Sequence, residues 1–537
     1  MAMNKKLFLI LTLALILRLI NLNQSLWLDE AIQVMAVYEN SLKDLFLNYF
    51  PGDFNPPLSY LISWVAVRIF GLSEISLRFP SVIFGVLNVW LVYLFANKTL
   101  RCSLKSTPGV DFSRYLRYFP EFAALLLAIS PLHIYYSQES RPYILACLLT
   151  TWSMYEFWRS LIPGVDPAKK TPGVDKETPG VNLNWRYILS TTLMLYSHYM
   201  AWLLIPTQLL IFLIKNKSEI RISKFETIFK FEFSKFKNLL TSWFFIGLLL
   251  IPWLPTFLKQ LEASRGVARA LPLWRNLGIF SFKNLSLIPV KFLIGRISID
   301  NNLIYALVML PTILLVGWLL VRVLKEVFSP QSPVPSPQLA ISYLSLWFFF
   351  PLALGIILSF RLPILQYFRF FFVLPAFYML LVYGILRIRP FKILILFFLI
   401  FNLTCSSIYL FNPKFHREDW EGTVNFISKK NLNAPIVILK PASAPFHYYA
   451  GLACKSDQAW PALVDYQETE KVRYLPKIWL IKYGQPIFDP ENKTEKKLKD
   501  FGFEEVSEHY FRGIIVKYLV NPSGLKASSF KLLATSY

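Results

Sequence analysis

Long apolar runs separated by short polar stretches dominate the chain up to about residue 410. The hydrocarbon core of a bilayer, about 30 Å thick, needs about 20 apolar residues as helix. Runs of that order fall near 6–22, 79–97, 119–136, 141–158, 186–203, 199–214, 239–258, 302–324, 339–360, 369–387 and 391–411. The fifth and sixth are fused in sequence and have to share a tight turn near His198. The run 57–71 is apolar but only about 15 residues long and contains Arg68, which predicts an interfacial or re-entrant helix rather than a span. The first run follows Lys5 and Lys6 with no small-residue cleavage site after it, so it reads as an uncleaved helix.

Loop charges choose the topology. If 57–71 does not cross, the cytoplasmic loops include 98–118, with Lys98, Arg101, Lys105, Arg114 and Arg117 against Asp111. They also include 215–237, with seven Lys/Arg against three Glu, and the turn carrying Arg387, Arg389 and Lys392. If 57–71 crosses, all of these move outside, against the positive-inside rule. The expectation is therefore about eleven transmembrane helices with the N-terminus in the cytoplasm. The repeats at 107–111, 163–166, 171–175 and 178–181, and the Ser/Pro/Gln run at 329–338, fall in cytoplasmic loops as turn-forming insertions.

Composition then divides the chain. Charged residues make up about 14% of residues 1–410 and about 25% of residues 411–537, the latter an ordinary value for a soluble domain. The expected architecture is a polytopic α-helical membrane domain over 1–410, with a large first outer loop at 23–78, and a C-terminal soluble α/β domain over 411–537 on the extracytoplasmic side. A helix start at Glu418 or Asp419 and strands at Ile436–Leu439, Ile478–Lys482 and Gly513–Val520 fit that tail. His447 and Cys454 read as structural. The net charge of +23 sits in short loops between apolar runs, so it argues for a membrane protein and against nucleic-acid binding. The four cysteines form no CxxC pair. There is no P-loop, no GxGxxG and no His/Asp/Glu cluster with metal spacing.

The topology collects the unusual polar residues on the outer side. Asp29 and Glu30 follow the first helix beside Trp27. They read either as a general base in a partly dry site or as a solvated pair capping the next helix. Gln138, Glu139 and Arg141 at a helix mouth read either as substrate ligands or as an interfacial ion pair. Arg18, Arg78, Arg141, Arg265, Arg269 and Arg369 read either as phosphate clamps or as side chains snorkelling to headgroups. His133 and His198 read as hydrogen-bonded helix-end histidines.

Several of these segments together resemble the bacterial membrane glycosyltransferases of the GT-C superfamily (glycosyltransferase family thirty-nine), related to protein O-mannosyltransferases and the lipid A aminoarabinose transferase. The matching segments are Trp27-Leu-Asp-Glu-Ala31, Asn55-Pro-Pro-Leu-Ser-Tyr60, Ser76-Leu-Arg-Phe-Pro-Ser81, Tyr136-Ser-Gln-Glu-Ser-Arg-Pro-Tyr143, Tyr196-Ser-His-Tyr199 and Glu418-Asp-Trp420. The resemblance implies an enzyme of the cytoplasmic (inner) membrane that takes a sugar from a polyprenyl-phosphate donor. The acceptor would be a lipid, a glycan or a protein, and transfer would invert the anomeric carbon. It implies Asp29 as base with Glu30 beside it, and Arg78, Arg141 and Arg369 on the donor phosphate. Asn55, Gln138, Glu139, Tyr143 and His198 would bind substrate. Asn55 stands where the family usually has His or Lys, and the late arginine-tyrosine pattern reads Tyr367-Phe-Arg369 here. No cofactor is established by the sequence, although a divalent metal could bind through outer-loop carboxylates without a recognisable motif. The rival reading is a transporter or flippase of lipid-linked sugars without bond chemistry, which should show polar groups near mid-bilayer and related halves. A third is an inactive binding or scaffold protein.

Overall fold

A computed structural model describes residues 4–104, 116–161, 184–220, 225–270, 275–327, 336–430, 434–453 and 462–523, with backbone alone at 100–104, 216–220, 225–235, 267–270, 336–338 and 452–453. The repeats at 107–111 and 163–181, most of the Ser/Pro/Gln run, and Cys454 lie outside the described residues, as does the side chain of Arg269.

Each of the eleven apolar runs carries helix. Six single helices among the described residues are long and apolar enough to cross a membrane: Glu74–Thr99, Phe236–Gly266, Asn302–Val327, Leu339–Ser359, Tyr367–Leu386 and Phe391–Phe411. A seventh is made by Phe119–Ala128 and Pro131–Ser137, bent by 59°. Pro131, with no N–H to donate, sits at the bend, and the Ser130 side chain caps the second piece by accepting from the His133 N–H. By this measure the count of eleven is not reached. The remaining runs form helices that are short, such as Lys5–Leu19 and Trp185–Ser197, or more polar, such as Pro142–Leu161 with Glu156 and Arg159. That last helix is buried on most of its surface, so other helices rather than lipid surround it. The expected turn at His198 is present: an extended His198 separates Trp185–Ser197 from the turn Tyr199–Leu203. The run 57–71 forms the 13-residue helix Leu58–Phe70, ended by Gly71 at a φ of 76°.

The tail folds as an α/β domain. Strands β1 (Ile436–Ile438), β2 (Leu463–Asp465), β3 (Lys477–Tyr483), β4 (Glu504–Phe511) and β5 (Ile514–Val520) form one mixed sheet in the order β2-β1-β3-β5-β4. Strand β1 runs parallel to β2 and β3, while β5 is antiparallel to β3 and β4. The helix Trp420–Lys430 opens the domain, with Asp419 as its cap: the Asp419 carboxylate accepts from the Gly422 N–H at 2.9 Å. His447, read as structural, is instead solvent-exposed at the end of a short helix, where it fills no core position.

The segment 23–78 and the tail share one apolar core. Leu26, Ala31, Val34, Phe50 and Tyr60 of that segment are buried in the same cluster as Trp420, Ile436, Ile481 and Val516 of the tail. The helix Leu28–Glu39 is thereby gripped between the membrane domain and the sheet.

One close approach under this platform yields a test. A methyl group on Gly85 would lie 2.2 Å from Ser137 Oγ and 2.8 Å from Arg18 Nε. Those two groups are hydrogen-bonded to each other at 3.1 Å, in a fully buried cluster where Arg18 also meets His133 Nδ1 at 2.6 Å. Gly85→Ala should therefore cost about 1–3 kcal/mol of stability, read as a lower thermal midpoint. An unchanged midpoint would mean that the approach is not tight.

Candidate active site

The helix Leu28–Glu39 presents its two adjacent carboxylates in different directions, because successive residues are rotated by about 100° on a helix. Glu30 turns inward and is fully buried. Arg78 grips it bidentately, Nε to Oε1 at 2.9 Å and Nη2 to Oε2 at 2.6 Å, and the Ser140 N–H donates to it at 2.8 Å. Burial alone would raise the Glu30 carboxyl, but Arg78 and Arg417 outweigh it and hold the group below its ordinary value. Asp29 turns outward, with its side chain 39% exposed. Its only ion-pair partner among the described residues is Arg141, whose Nη2 lies 3.6 Å from Oδ2, too far for a tight hydrogen bond.

Asp29 is not the helix cap. That position belongs to Trp27, which makes no side-chain capping bond, and the Leu28 N–H donates to Glu418 Oε2 at 3.3 Å. The capping reading of the carboxylate pair is thus met by a residue 390 positions away in sequence.

Arg141 links Asp29 to polar and aromatic groups from distant segments. Arg141 donates to the Asp29 carbonyl at 3.3 Å and to Gln33 Oε1 at 3.4 Å, and its Nε is buried without a partner. Tyr143 packs against Tyr136, His198 and Phe368, with ring centroids 4.9, 5.6 and 5.5 Å away. It feels the charges of Arg141, Glu139, Asp29 and Arg369. Arg369 is half-buried and donates to the Pro363 carbonyl. His198 uses Nδ1 to accept from the Met200 N–H at 3.2 Å, a helix-end role. Asp53 in the segment 23–78 faces Tyr60 and Arg141, and burial pushes its carboxyl up. Asn55 is half-buried, its carbonyl accepting from Gln260 at 3.2 Å.

Four residues expected to touch substrate sit in the framework instead. Arg78 is fully buried, and Glu30 and the carbonyls of Leu22, Gln24 and Ser25 take its N–H groups, leaving none directed at a phosphate. Glu30 is closed off by the same pairing. Gln138 is buried, donating to the Ile20 carbonyl at 2.6 Å and accepting from the Tyr409 hydroxyl at 2.9 Å, so it ties down the end of the first helix. Glu139 is buried beside Arg417, with Oε2 3.4 Å from Nη1, and burial raises its carboxyl. Arg18 neither snorkels nor faces outward, being enclosed by His133, Ser137 and the carbonyls of Ala14 and Ala128. Arg265 is exposed on the helix Leu254–Ala270.

Two arginines at this site carry no motif in the sequence. Arg296 follows Gly295, stacks over Tyr135 at 5.1 Å and donates to the Tyr367 hydroxyl at 2.7 Å. It is solvent-accessible and neighboured by Tyr135, Tyr136 and Tyr367. Arg417 of the tail is fully buried and reaches Tyr135, Gln138, Glu139 and Glu30. Its position just before Glu418-Asp-Trp420 is the one signal that points to it. Among the described residues, no group of three or more His, Cys, Asp or Glu side chains could hold a metal ion.

No family model and no curated protein matches the chain. Among solved structures it is similar to ArnT from Cupriavidus metallidurans in the apo state, at 11% identity over 96% of this chain and 98% of that one, with a TM-score of 0.52. It is similar to the same ArnT bound to undecaprenyl phosphate, at 11% identity over 95% and 97%, with a TM-score of 0.50. It is also similar to the Archaeoglobus fulgidus oligosaccharyltransferase in the apo form, at 12% identity over 89% of this chain and 70% of that one, with a TM-score of 0.50. At such identities the likeness is one of fold. This helical chain shares the fold of those ArnT and oligosaccharyltransferase structures.

Proposed function

We propose that the chain is a polyprenyl-phosphate-sugar-dependent hexosyltransferase acting at the outer face of the cytoplasmic membrane. The observation that carries this reading is the half-exposed Asp29 carboxylate, loosely paired to Arg141, with Tyr143 in the field of Asp29, Arg141 and Arg369 and His198 packed on Tyr143, within a GT-C fold. The undecaprenyl phosphate bound to ArnT supports a lipid-phosphate carrier as the donor class.

The chemistry follows from this arrangement. An acceptor hydroxyl entering beside Asp29 gives its proton to the free carboxylate oxygen while its oxygen attacks the anomeric carbon. The bond from that carbon to the carrier-phosphate oxygen breaks, and its electron pair leaves with the phosphate. Attack opposite the leaving group inverts the anomeric centre. Negative charge grows on the departing phosphate, where the guanidinium groups of Arg141, Arg296 and Arg369 would stabilise it. Arg141 has an unpartnered Nε to offer. Tyr143 and its aromatic neighbours present ring faces for the sugar. Glu30, Arg78, Gln138 and Glu139 act one layer behind as the scaffold of this surface. Asn55 brings no positive charge, so the arginines carry the phosphate recognition.

Two results test the reading. Product formed from a donor of known anomeric configuration should carry the opposite configuration by NMR, and retention would contradict the single displacement. Arg296→Gln and Arg369→Gln should each raise the donor KM about tenfold or more, the effect of losing one charge-assisted hydrogen bond. Wild-type donor KM in both variants would take the phosphate away from these two arginines.

A further inference from the structure

The tail reaches back to the proposed base through two consecutive residues. Glu418 accepts from the Leu28 N–H, so it holds the residue before Asp29. Arg417 lies 3.6 Å from Glu30 Oε2, so it holds the residue after Asp29. Both are themselves fixed. The Tyr483 hydroxyl donates to Glu418 Oε1 at 2.9 Å and Trp420 Nε1 donates to Oε2 at 3.3 Å. Gly513 fits against the Glu418 side chain, where an added methyl would meet Cγ at 2.9 Å. Arg417 stacks over Tyr135 at 4.5 Å and donates to the Tyr135 hydroxyl at 2.9 Å and the Gln138 carbonyl at 2.7 Å.

We infer that Arg417 and Glu418 form a clasp by which the soluble domain positions the Asp29 carboxylate, making that domain part of the working site. The inference rests on the reading of Asp29 as the base. The clasp leaves the Asp29 side chain itself untouched and brackets it on both sides. A carboxylate at a helix start also complements the positive end of the helix dipole, which steadies the first turn where Asp29 sits. Arg417 and Glu418 are positioning residues, because their side chains are taken up by Glu30, Tyr135, Gln138 and Glu139 and by the Leu28 N–H, Trp420 and Tyr483 respectively. The gain is geometric: displacement of a reacting group by about 1 Å can cost about a hundredfold in rate.

The test uses the full chain reconstituted in lipid, as wild type and as Glu418→Ala, Glu418→Gln and Asp29→Asn. Two quantities are read for each: hydrogen exchange of the peptide spanning residues 26–34, and kcat and KM for a radiolabelled polyprenyl-phosphate sugar. Glu418→Ala should speed exchange in that peptide and lower kcat about ten- to a hundredfold with donor KM unchanged. Glu418→Gln keeps an acceptor oxygen for the Leu28 N–H and should recover most of both. Asp29→Asn should lose kcat with wild-type exchange. Wild-type exchange in Glu418→Ala overturns the clasp, and so does a loss of kcat that Gln does not relieve. A fall in thermal midpoint with kcat and KM moving together also overturns it, because that is general destabilisation. Wild-type turnover in Asp29→Asn would instead remove the base reading, and the exchange result alone would then decide whether the clasp exists.

Discussion

Asp29→Asn is expected to lower sugar transfer by about 10²–10⁴-fold, the range over which general acid–base catalysis contributes, while donor binding stays at its wild-type value. The amide is nearly the same size as the carboxylate and can still lie beside Arg141, but it cannot take a proton from an acceptor hydroxyl. Asp29 makes no buried ion pair whose loss would disturb the fold: its contact to Arg141 is long and its side chain is half in solvent. The variant should therefore fold, bind donor and fail at the chemical step. Glu30→Gln makes the contrast. That carboxylate is closed off by Arg78, so its variant should lose stability before anything else. A fully active Asp29→Asn protein would remove the base assignment.

Arg78→Met should be the most destabilising single substitution at the site, by about 3–5 kcal/mol, the cost of stranding a buried charge. Arg78 supplies two of the three short hydrogen bonds to Glu30 and also satisfies the carbonyls of Leu22 and Ser25. Without it Glu30 keeps, among the described residues, only Arg417 at 3.6 Å and the Ser140 N–H. The double variant Glu30→Gln, Arg78→Met should lose less than the sum of the two singles, because each single leaves the other partner uncompensated. Since Glu30 is held below its ordinary value, its contribution is complete above about pH 4.3 and is lost as pH falls through the folded-state value. Thermal unfolding of purified protein reads the loss. A wild-type midpoint combined with a raised donor KM would instead return Arg78 to the phosphate.

Much of this organisation is legible in the sequence, and the exceptions have physical causes. The apolar runs mark most helices before residue 411, because lipid and helix neighbours both demand apolar side chains, but they miss Phe282–Ile294. For the same reason they cannot count crossings: Pro142–Leu161 is surrounded by protein, and Leu58–Phe70 is apolar but too short. In the tail, β3 and β5 read as strands from their Ile/Val content and fall where expected within a residue or so. Strand β4 does not, since it lies at the sheet edge and its exposed Glu504, Glu505 and Val506 carry no burial pattern. The Asp29-Glu30 pair stands out in the sequence, but which carboxylate turns outward depends on the rotation of a helix fixed by packing against the tail. Arg296 could not be found from local pattern, and Arg417 only from its place before Glu418-Asp-Trp420, because each gains its meaning from Tyr135, more than a hundred residues away.

Whether the chain forms a bond or only moves a lipid separates a glycosyltransferase from its transporter rival, and one measurement reads both. Purified protein in sealed lipid vesicles would be given a panel of radiolabelled polyprenyl-phosphate sugars, with lipid and glycan extract from the source cells as acceptor. A glycosyltransferase using Asp29 as base should leave label covalently attached to an acceptor with wild type and none above background with Asp29→Asn. Label found only as intact donor, redistributed across the bilayer equally by both proteins, would contradict it.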